Sequence, residues 1–134
     1  MSFIDEIAAQ LVAQNVGVLG ANIFLGSASP IPTGVGPYLT VNETGGIAPT
    51  RTQNQAAAST QRPTAQILVR GTSYPVTRAK ALAAYLALDG VFNTTLSGTK
   101  YLRMTARQEP TDMGLDANGR VQLVFNIEAE KQPS

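Results

Sequence analysis

Apolar residues recur at spacings of three and four in two segments, which predicts two amphipathic helices. In the first, residues 2–15, the apolar positions are Phe3, Ile4, Ile7, Ala8, Leu11 and Val12. Ser2 and Asp5 there have the spacing of a capping box. In the second, Ser73 is placed as an N-cap, Pro75 falls in the first turn, strong helix formers fill 79–88, and Gly90 ends the pattern.

Five further segments alternate apolar and polar residues or form short apolar runs, as strands do. They are residues 23–25, 38–42, 65–70, 101–107 and 121–129. The order of elements predicts an α+β fold with a single antiparallel or mixed β-sheet and two helices packed on one face. The predicted core consists of Ile7, Leu11, Ile67, Val69, Leu82, Leu86, Leu102, Leu123 and Phe125.

Residues 43–63 carry almost no apolar periodicity, and we expect a long, flexible, extended loop there. Loops of this length inside a small domain are usually functional or disordered. Residues 130–134 are polar and are expected to form a frayed tail. The length of 134 residues suits one domain, so we expect residues 1–134 to be a single folded unit.

The charge and composition narrow the possible functions. Ten basic and nine acidic residues give a net charge of +1, so no bulk field draws the chain to nucleic acid or to an anionic membrane. The sequence has neither Cys nor His, which excludes disulfides, thiol nucleophiles, histidine-based triads and the usual zinc ligand sets. We therefore expect no cofactor and no metal. The acidic N-terminal segment and the lack of a long apolar run predict synthesis in a cytoplasm, without membrane association.

The stretch DMGLDANGR, residues 112–120, has the residue types of a calcium loop and also those of a hairpin turn. If Asn118 and Gly119 are placed at the fifth and sixth positions of a calcium loop, Gly114 falls at the first position. Phe125 then stands where a calcium loop has its bidentate Glu. Two required carboxylates are missing, so a hairpin between the flanking strands is favoured. The predicted structural turn consists of Gly114, Asp116, Asn118, Gly119 and Arg120.

Several polar residues lie in or beside the long loop and are candidates for contacts with a partner. They are Glu43, Arg51, Gln55, Arg62, Arg70 and Arg78. Carboxylates near predicted turns, at Asp89, Glu109, Asp112 and Asp116, leave open a hydrolase that uses paired acids. Because acids at turns are ordinarily solvated or capping, we predict that the protein is not an enzyme.

The second half of the chain contains four motifs in order: Val69-Arg70-Gly71, Leu88-Asp89-Gly90 at the end of an Ala-rich helix, G-x-D-x-x-G-R at 114–120, and F-N-I-E at 125–128. In this order the motifs resemble the minor capsid or tail terminator proteins of long-tailed bacteriophages. The resemblance covers residues 65–130, and the N-terminal helix also fits.

The resemblance implies a virion protein without catalytic activity. Such proteins form a six-membered ring on the tail tube, stop its polymerisation and offer the surface that joins the head. The implied partners are further copies of the chain, the tail tube protein and a neck or head-completion protein, at the tail–neck junction of the virion. The genome would pass through the lumen without sequence-specific binding. The alternatives are a head-completion or neck connector protein, and a small module that binds a ligand or single-stranded nucleic acid.

Overall fold

The computed structural model describes residues 3–26, 36–45, 47–50, 60–115 and 119–132, with the backbone alone at 47–50 and 60. The elements are α1 (Phe3–Ala13), β1 (Ile23–Leu25), β2 (Tyr38–Glu43), β3 (Ile47–Thr50), β4 (Thr60–Arg62), β5 (Thr64–Gly71), α2 (Tyr74–Leu88), β6 (Val91–Leu96), β7 (Thr99–Ala106), β8 (Thr111–Leu115) and β9 (Val121–Lys131). The predicted α+β class is confirmed. Both predicted helices and all five predicted strands are present, although Ser2 of the predicted capping box lies outside the described residues.

The sheet is built around β9, its longest strand. On one side β9 pairs with β5 and, further along, with β4; on the other side it pairs with β8 and then with β7. The strand β2 extends the sheet beyond β5, and β1 adds to β2 in parallel, which makes the sheet mixed. Beyond β7 lies β6, and β3 pairs with β4. Eight strands thus form one open sheet, and β3 extends it.

One face of the sheet carries the core, and both helices contribute to it. Along β9 the buried residues alternate with half-buried ones, so Leu123, Phe125, Ile127 and Ala129 share one face of the sheet. The residues that complete this core from the helices are Ile7, Ala8 and Leu11 of α1 and Ala81, Ala84 and Leu88 of α2. Gln10 Nε2 donates a hydrogen bond to the carbonyl of Ala87 at 3.3 Å, linking the helices.

The predicted core is correct for six residues and wrong for three. Leu82 and Leu86 are 42% and 68% exposed. Both sides of α2 carry apolar residues, so the spacing of apolar positions does not show which side faces the core. The side that faces the core has the small residues Ala81 and Ala84. Leu102 is half-buried, because a bulge between Tyr101 and Arg103 places Tyr101 and Met104 in the core.

The expected loop at residues 43–63 and the expected tail at 130–134 are both partly strand. Residues Ile47–Thr50 and Thr60–Arg62 pair as an antiparallel ladder, whereas residues 51–59 lie outside the described part of the chain. The strand β9 continues through Glu130 to Lys131, which is buried. Backbone pairing needs no apolar periodicity, and an ion pair holds Lys131, so the polar composition was misleading in both places.

The region before the Asn-Gly turn also differs from the prediction. Residues Thr111–Leu115 form β8 and pair with β9, so the segment that contains Asn118 and Gly119 connects β8, not β7, to β9. The predicted strands β7 and β9 are still antiparallel neighbours, with Arg103 opposite Glu130. The strand β6 was not predicted; it pairs with β7 across Ser97 and Gly98, whose φ angles are +50° and +85°.

Candidate assembly surfaces

The outward side of α2 is an exposed apolar stripe, which we call the α2 face. It consists of Val76, Ala79, Leu82, Ala83 and Leu86. These positions follow the helical repeat on the side opposite the buried Thr77, Ala81, Ala84 and Leu88. Arg78 and Lys80 are adjacent in sequence to Ala79, so each lies about 100° around the helix from it, on opposite sides of the stripe. Large apolar stripes are uncommon on monomers and usually mark contact sites.

A shallow groove of about 390 Å³ runs along one border of the α2 face. It lies between α2 and the segments that follow α1 and precede β2, and its lining is mostly apolar: Asn15, Val16, Pro37, Val76, Ala79, Lys80 and Ala83. Lys80 Nζ donates a hydrogen bond to the carbonyl of Val16, so this lysine is fixed to the loop after α1. The groove extends the apolar area of the α2 face sideways.

The second exposed surface, which we call the β8 surface, consists of Glu109, Asp112, Met113 and Leu115. All five residues of β8 are exposed, and Met113 and Leu115 are 55% and 68% exposed. A bulge lies between Asp112 and Gly114, where Asp112 Oδ1 accepts the N–H of Gly114 at 2.8 Å. The strand therefore presents apolar side chains beside two carboxylates.

Other exposed large apolar side chains are spread over separate elements. Phe92 of β6 is 59% exposed, and Val18 and Leu19, in the loop after α1, are 61% and 53% exposed. None of these is part of a strand or helix stripe as long as the α2 face. Among the described residues, α2 and β8 are the regular elements that carry two or more exposed large apolar side chains each.

The sheet face without helices is polar and nearly neutral. One of its cross-strand rows runs from Thr40 through Leu68 and Val124 to Thr111. Its main charged group is Arg103, which contacts Glu128 at 3.2 Å and Glu130 at 3.3 Å. These side chains are partly exposed, so the pairs contribute little to the free energy of folding.

The loop-associated candidates do not form one cluster. Glu43 is exposed at the end of β2, Arg62 is half-buried in β4, and Arg70 is half-buried in β5 between Tyr38 and Gln122. Arg78 is exposed on α2, on the opposite side of the sheet from Arg70. Arg51 and Gln55 lie outside the described residues.

The turn residues have the backbone geometry that glycine permits. Gly114 and Gly119 have φ angles of +85° and +75°, in the region that residues with a Cβ rarely occupy. Arg120, which precedes β9, is 7% exposed and so is buried, although the sequence suggested a turn position for it. Asp116 and Asn118 lie outside the described residues.

Two of the carboxylates considered for catalysis, Asp89 and Asp112, accept backbone hydrogen bonds. Asp89 Oδ1 accepts the backbone N–H of Ala106 at 2.8 Å, joining the end of α2 to β7. Desolvation, followed by the charges of Asp89 and Glu109, raises the pKa of Tyr85 above its ordinary value. Within residues 3–26, 36–45, 60–115 and 119–132, no three Asp or Glu side chains are grouped as metal ligands.

A buried polar cluster joins α1 to β7 and β9. Glu6 Oε1 accepts a hydrogen bond from Tyr101 Oη at 2.8 Å and lies 3.3 Å from Lys131 Nζ. Sequence reasoning missed this cluster, although a signal was present. Glu6 lies three residues after Phe3, on the apolar side of α1, where a solvated acid is not expected.

Taken together, an open sheet with one helix-covered face and two exposed apolar surfaces define a small α+β domain with surfaces suited to contacts with other chains. The family model of the bacteriophage tail terminator protein matches residues 10–133, and the chain belongs to this family of virion structural proteins. The predicted resemblance and the predicted lack of enzymatic activity are confirmed by this match.

A solved structure supports the fold assignment. A chain described as "Virion of native gene transfer agent (GTA) particle" superposes with a TM-score of 0.64, at 17% sequence identity, over 92% of this chain and 84% of that one. At this identity the likeness concerns the fold. A search of curated proteins by sequence finds no match. No helix in the described part of the chain is long and apolar enough to cross a membrane.

Proposed function

We propose that the protein forms a six-membered ring on the end of the tail tube, stops its polymerisation and provides the surface to which the head is joined. The ring lies at the tail–neck junction. Its partners are further copies of the chain, the tail tube protein and a neck protein. The observation that carries this proposal is membership of the tail terminator family over residues 10–133. The same match favours a terminator over the head-completion role.

The described surfaces support assembly into a closed ring. A ring needs a heterologous interface, in which two different surfaces of one chain meet in neighbouring copies. The α2 face and the β8 surface are separate exposed surfaces on different elements, so each copy has one of each to offer. The net charge of +1 produces little repulsion between copies.

The first test of the proposal is the native mass, measured by light scattering over a wide range of concentrations. A ring of six 14.1 kDa subunits has a mass of about 85 kDa. The second test is polymerisation of the purified tail tube protein with and without this protein. We expect tubes that stop growing and carry a cap at one end in electron micrographs. Tubes of unchanged length without bound protein would contradict the proposed function.

The same preparation tests the rival reading as a nucleic-acid-binding module. Phosphate contacts release counterions, so such a module would bind single-stranded DNA with a steep dependence on salt. We expect no such binding, because the arginine side chains described above are dispersed over both sides of the sheet. Salt-dependent binding by the monomer would favour the module.

A further inference from the structure

We propose that the α2 face of each copy packs against the β8 surface of the next copy, and that this contact closes the ring. The inference rests on the proposed function, since it names the two surfaces that the ring would join. The occupant of the α2 face is thus a second copy of this chain.

The first support is that each surface carries apolar side chains that a contact would remove from water. On α2, Val76 and Leu86 are 53% and 68% exposed, and the small Ala79 and Ala83 between them leave room for a protruding side chain. On β8, Met113 and Leu115 protrude to a similar extent. Burial of such groups is favourable in proportion to the apolar area removed from water, so a contact with a complementary apolar surface stabilises both.

The second support is complementary charge. From residue 72 to residue 88 the sequence has two basic residues, Arg78 and Lys80, and no acidic one. From residue 108 to residue 115 it has two acidic residues, Glu109 and Asp112, and no basic one. An apolar stripe with a cation on each side therefore matches an apolar pair that follows two carboxylates in the chain. Such complementarity selects the partner and its orientation.

The charges also argue against a symmetric pairing of like surfaces. Two α2 faces related by a two-fold axis would bring the cations of both helices together, and two β8 surfaces would do the same with four carboxylates. Like charges brought together across an interface are unfavourable. An α2 face therefore pairs more favourably with a β8 surface than with another α2 face, and the same holds for the β8 surface. Pairing of two different surfaces is the head-to-tail arrangement that generates rings.

The geometry of β8 favours packing of side chains over addition of a neighbouring strand. Its bulge between Asp112 and Gly114 interrupts the regular ladder, and the Gly114 N–H already donates to Asp112. Bulges and charges on outer strands hinder pairing with another strand. The contact to β8 therefore involves Met113 and Leu115 rather than new backbone hydrogen bonds.

Cross-linking with introduced cysteines tests the contact directly, because the sequence contains no Cys of its own. The two single variants are Leu86→Cys and Leu115→Cys, and the reagent is a short bis-maleimide. Each variant alone is expected to stay uncross-linked, whereas their mixture gives covalent dimers. The double variant gives a ladder of multimers that ends at the size of the closed ring. The matched control is Val18→Cys, exposed to a similar extent, which forms no dimer with Leu115→Cys.

A charge-exchange experiment provides an independent readout. Arg78→Glu and Glu109→Arg are each expected to weaken self-association at least tenfold, and the double variant to recover most of the loss. Lys100→Glu, an exposed cation of β7, is the control and keeps the wild-type mass. Circular dichroism shows whether each variant remains folded.

The outcomes separate this inference from the proposed function. If rings form or tubes are capped, but the mixture gives no cross-link and the charge exchange gives no recovery, the inference is wrong and the proposed function stands. Cross-linked dimers from Leu86→Cys alone would show a symmetric α2 contact, which also overturns the inference. A chain that remains monomeric both in solution and with tubes overturns both.

Discussion

Glu6 of α1 and Lys131 of β9 form an ion pair inside the core, with 3.3 Å between Glu6 Oε1 and Lys131 Nζ and at most 5% of either side chain exposed. Tyr101 donates its hydroxyl to the same oxygen. Lys131 Nζ also lies 5.9 Å from the ring centroids of Phe3 and Tyr101, within reach of a cation–π contact. The pair joins the first helix to the central strand.

Removing one member of the pair should destabilise the fold strongly. Glu6→Gln removes a negative charge from beside a buried ammonium, and the expected loss is about 3 to 5 kcal/mol in the free energy of unfolding. Urea denaturation followed by circular dichroism measures it. An apolar replacement of the whole cluster, with Glu6→Met, Tyr101→Phe and Lys131→Met, should recover most of the loss. A loss below 1 kcal/mol for Glu6→Gln would show that the pair is solvated.

Tyr101 should make the protein sensitive to alkali. Burial, together with the hydrogen bond to Glu6 and its charge, raises the pKa of Tyr101 above its ordinary value of about 10. The phenol of the unfolded chain thus ionises at a lower pH than that of the folded chain. The stabilising contribution is complete below about pH 10 and is lost as the pH rises toward the folded-state pKa.

The measurement is the free energy of unfolding from urea titrations at a series of pH values from 8 upward. Above about pH 10 the free energy of unfolding of the wild type should fall by up to about 1.4 kcal/mol per pH unit because of Tyr101. Tyr101→Phe should have a lower free energy of unfolding than the wild type at pH 8, and this free energy should fall less per pH unit. Tyr74→Phe, at an exposed position, is the matched control and should keep the wild-type slope. Equal slopes for wild type and Tyr101→Phe would contradict this account.

Gly71 should not tolerate a side chain. A Cβ there would collide with Thr77 Oγ1 and lie 3.3 Å from Pro37 Cα. Overpacking of this kind costs about 1 to 3 kcal/mol, so Gly71→Ala should lower the urea midpoint accordingly. Thr77 Oγ1 is buried without a hydrogen-bond partner in the described structure, so Thr77→Ala alone should cost little. The double variant should be more stable than Gly71→Ala. If the losses of the two single variants simply add in the double variant, the proposed collision is contradicted.

Two leucines should separate folding from assembly. Leu123 is buried in the core, and Leu123→Ala should cost about 2 to 5 kcal/mol of unfolding free energy. Leu86 is exposed on the α2 face, so Leu86→Ala should change monomer stability by less than about 0.5 kcal/mol while weakening self-association. Unfolding and native mass are measured on the same samples. A large loss of monomer stability in Leu86→Ala would place that side chain in the core.

The sequence predicted the fold where residues alternate with a clear period. The short apolar run of β5 and the alternation in β9 correctly indicated that Ile67, Val69, Leu123 and Phe125 belong to the core. The spacing of apolar residues does not show which side of α2 faces the core, because both sides of this helix are apolar. The buried side of α2 uses the small residues Ala81 and Ala84, while the leucines at 82 and 86 point outward.

The remaining differences come from contacts between residues far apart in the chain. Glu6 and Lys131 are separated by 125 positions. The position of Glu6 on the apolar side of α1 signals burial, but no residue near it in sequence identifies Lys131 as its partner. Similarly, β4 pairs with β9 at Gln61 and Lys131, and neither segment has an apolar signal for that pairing. The assembly surfaces were not predicted either, since exposure of Leu86 and Leu115 follows from the three-dimensional fold.

The position of β9 has a consequence for the order of events during synthesis. Four strands, β4, β5, β7 and β8, pair with β9, which follows all of them in the chain and so leaves the ribosome after them. Until then these strands have unsatisfied edges, and the long-range pairings slow the search for the native state. A nascent chain therefore remains incompetent for assembly until β9 has emerged, so premature incorporation of incomplete subunits is disfavoured.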